Sequence, residues 1–290
     1  MSVLSISFAV LCLLPSLALA RPGQAPPVSP IEPRPAGSVP SPTCATHHSF
    51  LSAALKREMS YCLILPADYE ASQRSYPVLY LLHGLFGSEN DWLANTRVAD
   101  YARPLPLIII MPEADDSWYT NSLADPRNRY EDYVFNDLIA AVDTRYRTLK
   151  SRDSRFIAGL SMGGYGAIKA GLRDPRKFAV VGGFSSALDV TRYPSRWTTA
   201  RLAFGPHFDS QKDPQNDDYV LLAQADTAQL PYFFVSCGAD DPLLHSSREL
   251  VSMMGDLHVG YEYHEFPGAH TWRFWDRSIA ALLRELALRM

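Results

Sequence analysis

The chain has 290 residues, 47% hydrophobic and 20% charged, with a formal net charge of -4 at pH 7. That balance supplies a sizeable core and excludes a generally disordered chain. It gives no electrostatic ground for nucleic acid or an anionic membrane surface as a partner.

Residues 3–20 are apolar and close on Ala18-Leu19-Ala20, the small-x-small pattern of a signal-peptidase site, with Arg21-Pro22 as the mature start. Met1-Ser2 carries no Lys or Arg, which leaves an uncleaved anchor as the competing reading. Residues 1–20 are expected to be a signal peptide. The product is then secreted or periplasmic and keeps no membrane span after cleavage. From Arg21 to Pro42, eight of 22 residues are proline, so 21–43 is expected to be an extended, disordered linker. The folded domain is then 44–290.

Cys12 would leave with the signal, and the remaining Cys44, Cys62 and Cys237 cannot all pair within one molecule. A hairpin of 47–55 and 57–65 turning near Lys56 puts Cys62 opposite roughly position 49. A Cys44–Cys62 bridge then needs the chain to double back, and it stays open. Cys237 reads as an inert core thiol.

Phe50–Leu55 and Met59–Leu65 are expected to form an antiparallel pair. Val78–Leu82 and Leu107–Met111 are continuous apolar runs of the kind buried on both faces of a sheet. Between them Ser88 is expected to cap a helix running to Tyr101, and apolar residues at helical spacing predict a helix over 129–147. Strands follow at Arg155–Ala158, Phe178–Phe184, Tyr232–Ser236 and Tyr261–Phe266, with helices after Ser161, over 242–254 and over 272–288. The segment 188–230 is too long for an ordinary connection and is expected to cap a pocket. Alternating buried strands and helices after an antiparallel start predict an α/β fold with a mostly parallel, doubly wound sheet of about eight strands.

The chemistry centres on Gly159-Leu160-Ser161-Met162-Gly163, placed between a strand and a helix. A serine on such a turn projects its hydroxyl off the sheet, with helix N–H groups behind it for a developing negative charge. His270 sits in the Gly/Pro-rich loop Phe266-Pro267-Gly268-Ala269-His270, after the last strand, where it can reach Ser161 as a base. A carboxylate should follow the preceding strand, and Asp240 and Asp241 both stand there. As residues they are not distinguishable, because Asp241 before Pro242 is also a good helix cap. The oxyanion hole is expected from the N–H groups of Met162 and of Leu85, in the loop His83-Gly84-Leu85-Phe86-Gly87. No Cys/His metal spacing and no phosphate or dinucleotide loop appears, and no cofactor is expected.

Tyr80–Trp92, Asp116–Asn121 and Ala158–Ala167 together resemble the putative-esterase family of α/β-hydrolases. That family groups S-formylglutathione hydrolases (esterase D), feruloyl and acetylxylan esterases, tributyrin-type esterases and mycolyltransferases. The resemblance covers essentially all of 44–290. It implies the α/β-hydrolase fold and Ser161, Asp241 and His270 as catalytic residues, Asp241 being the fourth position of the Gly-x-x-Asp turn. It also implies that Trp118 and Tyr119, with Asn121, line the substrate pocket. The expectation is an exported serine esterase acting through an acyl-enzyme on short-chain or aromatic esters, small or polysaccharide-linked. The alternatives are an acyltransferase of mycolyltransferase type and an S-formylglutathione-hydrolase-like thioesterase. A secreted binding module without turnover is the rival from another class. Nothing in the residues fixes the oligomeric state.

Overall fold

The computed structural model of the chain describes residues 48–290 apart from 195, 196, 198, 206, 207 and 210–212. The expected signal peptide, the linker and Cys44 lie outside the described residues. The fold starts with an antiparallel hairpin, β1 (His48–Ser52) and β2 (Arg57–Ile64), turning through Lys56 at φ 54°. Ser49 faces Ser60, so Cys62 lies nearer the chain's start than the expected register placed it. Cys62 is disulfide-bonded, whereas Cys237 is a free, buried thiol.

The parallel strands follow: β3 (Val78–Leu82), β4 (Ile108–Pro112), β5 (Arg155–Leu160), β6 (Val180–Phe184), β7 (Tyr232–Gly238) and β8 (Tyr261–Phe266). All eight form one sheet in the order β1-β2-β4-β3-β5-β6-β7-β8, antiparallel as far as the β2–β4 pairing and parallel beyond it. The period of two in the apolar runs feeds two cores. Tyr80, Ile108 and Ile157 point into one, and Leu79, Ile109 and Phe156 into the other.

The helices divide accordingly. Tyr165 and Ile168 of α5 (Met162–Arg173) and Leu250 of α8 (Leu244–Asp256) fill the first core. The second takes Trp92 of α1 (Asp91–Asn95), Val98 of α2 (Val98–Ala102), and Phe274, Ile279 and Leu282 of α9 (Trp272–Ala287). This is the α/β-hydrolase arrangement, with the C-terminal ends of the parallel strands at one edge. Among the described residues no helix is long and apolar enough to cross a membrane.

Three elements differ from expectation for local reasons. The helix expected over 88–101 is split into α1 and α2, because the Thr96 hydroxyl takes the Trp92 carbonyl and Thr96 itself is extended. Ser88 is not its cap; Asn90 is the flanking residue, and the Ser88 hydroxyl bonds Asp91 instead. The helix over 130–145 has a π turn, Tyr133–Asp137, between α3 (Tyr130–Asp132) and α4 (Leu138–Arg145). Its Asp137 carboxylate accepts from the Ser52 hydroxyl (2.7 Å) and the Ala54 N–H (2.8 Å), which ties the turn to the first hairpin. The 188–230 segment contains α6 (Ala200–Phe204), α7 (Asp218–Gln224) and short 3₁₀ turns; α6 lies against the 117–123 loop and α7 against α5.

Candidate active site

Ser161 stands between β5 and α5 with φ 52° and ψ -114°, a conformation that costs an L-residue energy and is held by its surroundings. Its N–H donates to Phe184 of β6 (2.9 Å), and its carbonyl accepts from Tyr165 and Ala187 (both 3.1 Å). The flanking glycines are steric necessities. A Cβ on Gly159 would lie 2.4 Å from the Gly163 backbone, and one on Gly163 would lie 2.5 Å from the His83 carbonyl oxygen. The pentapeptide thus lets the serine turn pack directly against the end of β3.

The loop after β8 carries His270 to this turn. Its Nε2 is 3.1 Å from Ser161 Oγ, and its Nδ1 is 3.0 Å and 3.2 Å from the two Asp241 carboxylate oxygens. A carboxylate can only accept, so Nδ1 carries the hydrogen and Nε2 is free to take the serine proton. The Asp241 side chain is fully buried, whereas Asp240 is exposed and uses its N–H on the Gly268 carbonyl. Geometry therefore puts Asp241, and not its neighbour, on the histidine. Asp241 Oδ1 also accepts the Leu243 N–H at 2.9 Å, just ahead of α8. Burial works against the charged Asp241. The hydrogen bonds from His270 and Leu243, with help from the Ser185 hydroxyl, outweigh it and hold the carboxyl below the usual aspartate value.

The histidine ring is held from the other side by Trp275 of α9, edge-on at 4.8 Å between centroids. The Trp275 indole N–H in turn donates to the Ser185 hydroxyl at 3.2 Å. Neither residue stood out in the sequence.

Met162 is the first residue of α5, and Leu85 lies in the loop after β3; among the described residues neither N–H has an acceptor. His83 is buried, with its Nε2 accepting the Ala114 N–H (3.1 Å) and its Nδ1 2.7 Å from the Gly84 carbonyl oxygen. Burial pushes its pKa down, so it is a neutral structural imidazole. The adjacent glycine was the signal for this loop; the histidine's own part in it was not recognisable without the fold.

Trp118 and Tyr119, expected on the pocket wall, are both fully buried. Trp118 packs against Tyr165, Trp197 and Phe204 and donates from Nε1 to the Thr199 hydroxyl. Tyr119 lies on Gly166, and its hydroxyl donates to the His83 carbonyl at 3.0 Å. Their rings pack between the 117–123 loop, α5 and the 188–230 segment. The Asn121 side chain accepts the Asp132 N–H at 3.2 Å.

A family model described as Putative esterase matches residues 52–286. An acetyl esterase of Caldicellulosiruptor saccharolyticus is 28% identical over 251 residues, 80% of this chain and 94% of that protein. The fluorophosphonate-binding serine hydrolase F of Staphylococcus aureus superposes with a TM-score of 0.77 at 27% identity, covering 83% of this chain and 97% of that one. An S-formylglutathione hydrolase from the same organism gives 0.75 at 28%, covering 83% and 98%.

Proposed function

The chain belongs to the Putative esterase family and is a carboxylic ester hydrolase, and from that premise we propose an exported serine esterase that works through an acyl-enzyme on short-chain or aromatic esters. The observation that carries the mechanism is the unbroken chain from Asp241 through His270 to Ser161. Ser161 Oγ attacks the ester carbonyl while His270 Nε2 takes its proton, and buried Asp241 stabilises the imidazolium. The N–H groups of Leu85 and Met162 hold the oxyanion. His270 then protonates the departing alcohol, and the same imidazole activates water to release the acid.

The export reading rests on residues 3–20 alone. Expression of the full chain followed by N-terminal sequencing of the exported form tests it, with Arg21 as the expected first residue. Likeness to S-formylglutathione hydrolases of Staphylococcus aureus and of Rattus norvegicus, the latter 26% identical over 220 residues, favours a thioesterase as the second reading. A panel of acetyl, butyryl, feruloyl and long-chain esters beside S-formylglutathione decides between them. An oxygen-ester preference supports the first reading, and a thioester preference of a hundredfold or more replaces it.

A further inference from the structure

The loop that follows β6 touches both ends of the Asp241–His270–Ser161 chain. The Phe184 carbonyl accepts the Ser161 N–H at 2.9 Å, and the Ala187 N–H donates to the Ser161 carbonyl at 3.1 Å. Between those anchors sits Ser185, wholly buried, whose hydroxyl bonds the Asp241 carboxylate. The Ser185 N–H donates to the Ser236 carbonyl of β7 at 2.8 Å, which fixes its backbone. That backbone has φ 47°, in the left-handed region, where a glycine would sit at lower cost but bring no hydroxyl. Such strain persists where the surroundings enforce it, and it clusters where a side chain serves a site.

Trp275 decides which way the Ser185 hydroxyl points. An indole N–H can only donate, and it reaches Ser185 Oγ at 3.2 Å. The serine has one proton of its own, and with the indole on its lone pair that proton is turned away from α9. Two groups lie within its reach, the Cys237 thiol and the Asp241 carboxylate. A thiol is a weak acceptor and an ionised carboxylate a strong one, so the proton goes to Asp241. The carboxylate then has donors from three separate segments: His270 after β8, the Leu243 N–H ahead of α8, and Ser185 after β6.

The same indole also meets the other partner. Its ring stands edge-on to His270, 4.8 Å between centroids at 89°. Trp275 is seated against Trp272 at 5.1 Å, and Trp272 against Trp92 at 5.6 Å. The Trp92 indole N–H donates at 3.0 Å to the carbonyl of Leu82, the last residue of β3 before the oxyanion loop. One side chain thus bears on the imidazole directly and on the carboxylate through a single hydroxyl. We infer that Ser185 and Trp275 are positioning residues for the catalytic pair, the indole N–H aiming the Ser185 hydroxyl at Asp241 so that the carboxylate stays turned toward His270 Nδ1. This rests on the acyl-enzyme reading of Ser161 and adds two residues to it.

Ser185→Gly removes the hydroxyl at a backbone that glycine accepts, and Trp275→Phe keeps a ring edge on His270 while removing the N–H. With p-nitrophenyl acetate each should lower kcat about tenfold or more with KM within about twofold, since a misplacement of about 1 Å costs on the order of a hundredfold. Relief of the φ strain offsets the lost hydroxyl, so Ser185→Gly should keep its Tm within about 5 °C of wild type. The double variant should be no slower than the slower single one, because both changes break one chain of bonds. The rate of inactivation by a fluorophosphonate extends the comparison to slow proteins. In Asp241→Asn protein, where the carboxylate charge is gone, adding Ser185→Gly should change that rate by less than about twofold. A folded Ser185→Gly protein with wild-type kcat overturns the assignment and leaves the Ser161 reading standing. So does a Ser185→Gly loss of the same factor with and without the Asp241 carboxylate, or a double variant whose loss is the product of the two single losses. Wild-type protein that neither turns over p-nitrophenyl acetate nor takes the fluorophosphonate counts against the Ser161 reading instead.

Discussion

The imidazole of His83 donates from Nδ1 to the carbonyl oxygen of Gly84 across 2.7 Å, and this bond aims the following N–H. The Gly87 N–H also binds that carbonyl, at 3.1 Å. In a trans peptide C=O and N–H point opposite ways, so fixing the Gly84 oxygen turns the Leu85 N–H away from it. His83→Ala should therefore lower kcat on p-nitrophenyl acetate by about a hundredfold or more with KM within a few-fold, the pattern of a lost transition-state donor. His83→Asn, which can also donate from its side chain, should recover part of the loss. Equal loss in both variants with an unfolded far-UV spectrum would mean that His83 serves the fold alone.

Asp240 and Asp241 differ in what they touch, not in chemistry. Asp241→Asn keeps the size but removes the charge on His270, and the expected loss in kcat is about 10⁴-fold, as for the equivalent change in other serine hydrolases. Asp240→Asn is exposed and should stay within about threefold. Steady-state kinetics on both proteins decides; a crippled Asp240 variant beside an active Asp241 variant contradicts the assignment.

Much of this could be read before any coordinates, and the reasons are local. β3 and β4 lie where apolar runs bounded by turn residues put them. The Gly-x-Ser-x-Gly segment points to its own turn because glycine is demanded on both sides. What escaped depends on distant partners. Thr96 breaks a helix with an ordinary hydroxyl, and the π turn at Tyr133–Asp137 answers to a hairpin some 80 residues away. Trp118 and Tyr119 looked like a pocket wall, yet Trp197, Phe204 and Gly166 bury them. The choice of Asp241 over Asp240 needed either the family's turn pattern or the fold.

Burial, reinforced by a hydrogen bond shared with Glu89, pushes the Glu113 carboxyl up to about 7 from its ordinary 4.5. Between those values the folded state binds more protons than the unfolded, so this group's contribution falls as pH rises. It is fully present below 4.5 and lost above about 7, and amounts to at most about 3 kcal/mol. Buried His83 gives the opposite slope below its ordinary pKa, so the comparison must be between proteins at each pH. Glu113→Gln should gain Tm relative to wild type steadily from pH 4.5 to 7.5. A constant Tm difference across that range sinks the account.

Lys169 of α5 is wholly buried, 3.2 Å from Glu131 and near Asp218, whose two carboxylate oxygens have no hydrogen-bond partner among the described residues. Burial pushes the lysine down and Asp218 well up, and the lysine is what relieves the carboxyl. Lys169→Met should cost about 3–5 kcal/mol by leaving buried acid groups uncompensated. Adding Asp218→Asn should return a measurable part of it in denaturant melts; no recovery would show that the two do not act together.

The central claim is that Ser161 carries the acyl group. The direct measurement is intact-mass and peptide mapping after a fluorophosphonate, and after acid quench of a slow aryl ester. One adduct per chain, on the peptide containing Ser161 and absent from Ser161→Ala, is the expected result. Full turnover with no adduct on that peptide, or an adduct that persists in Ser161→Ala, would contradict it.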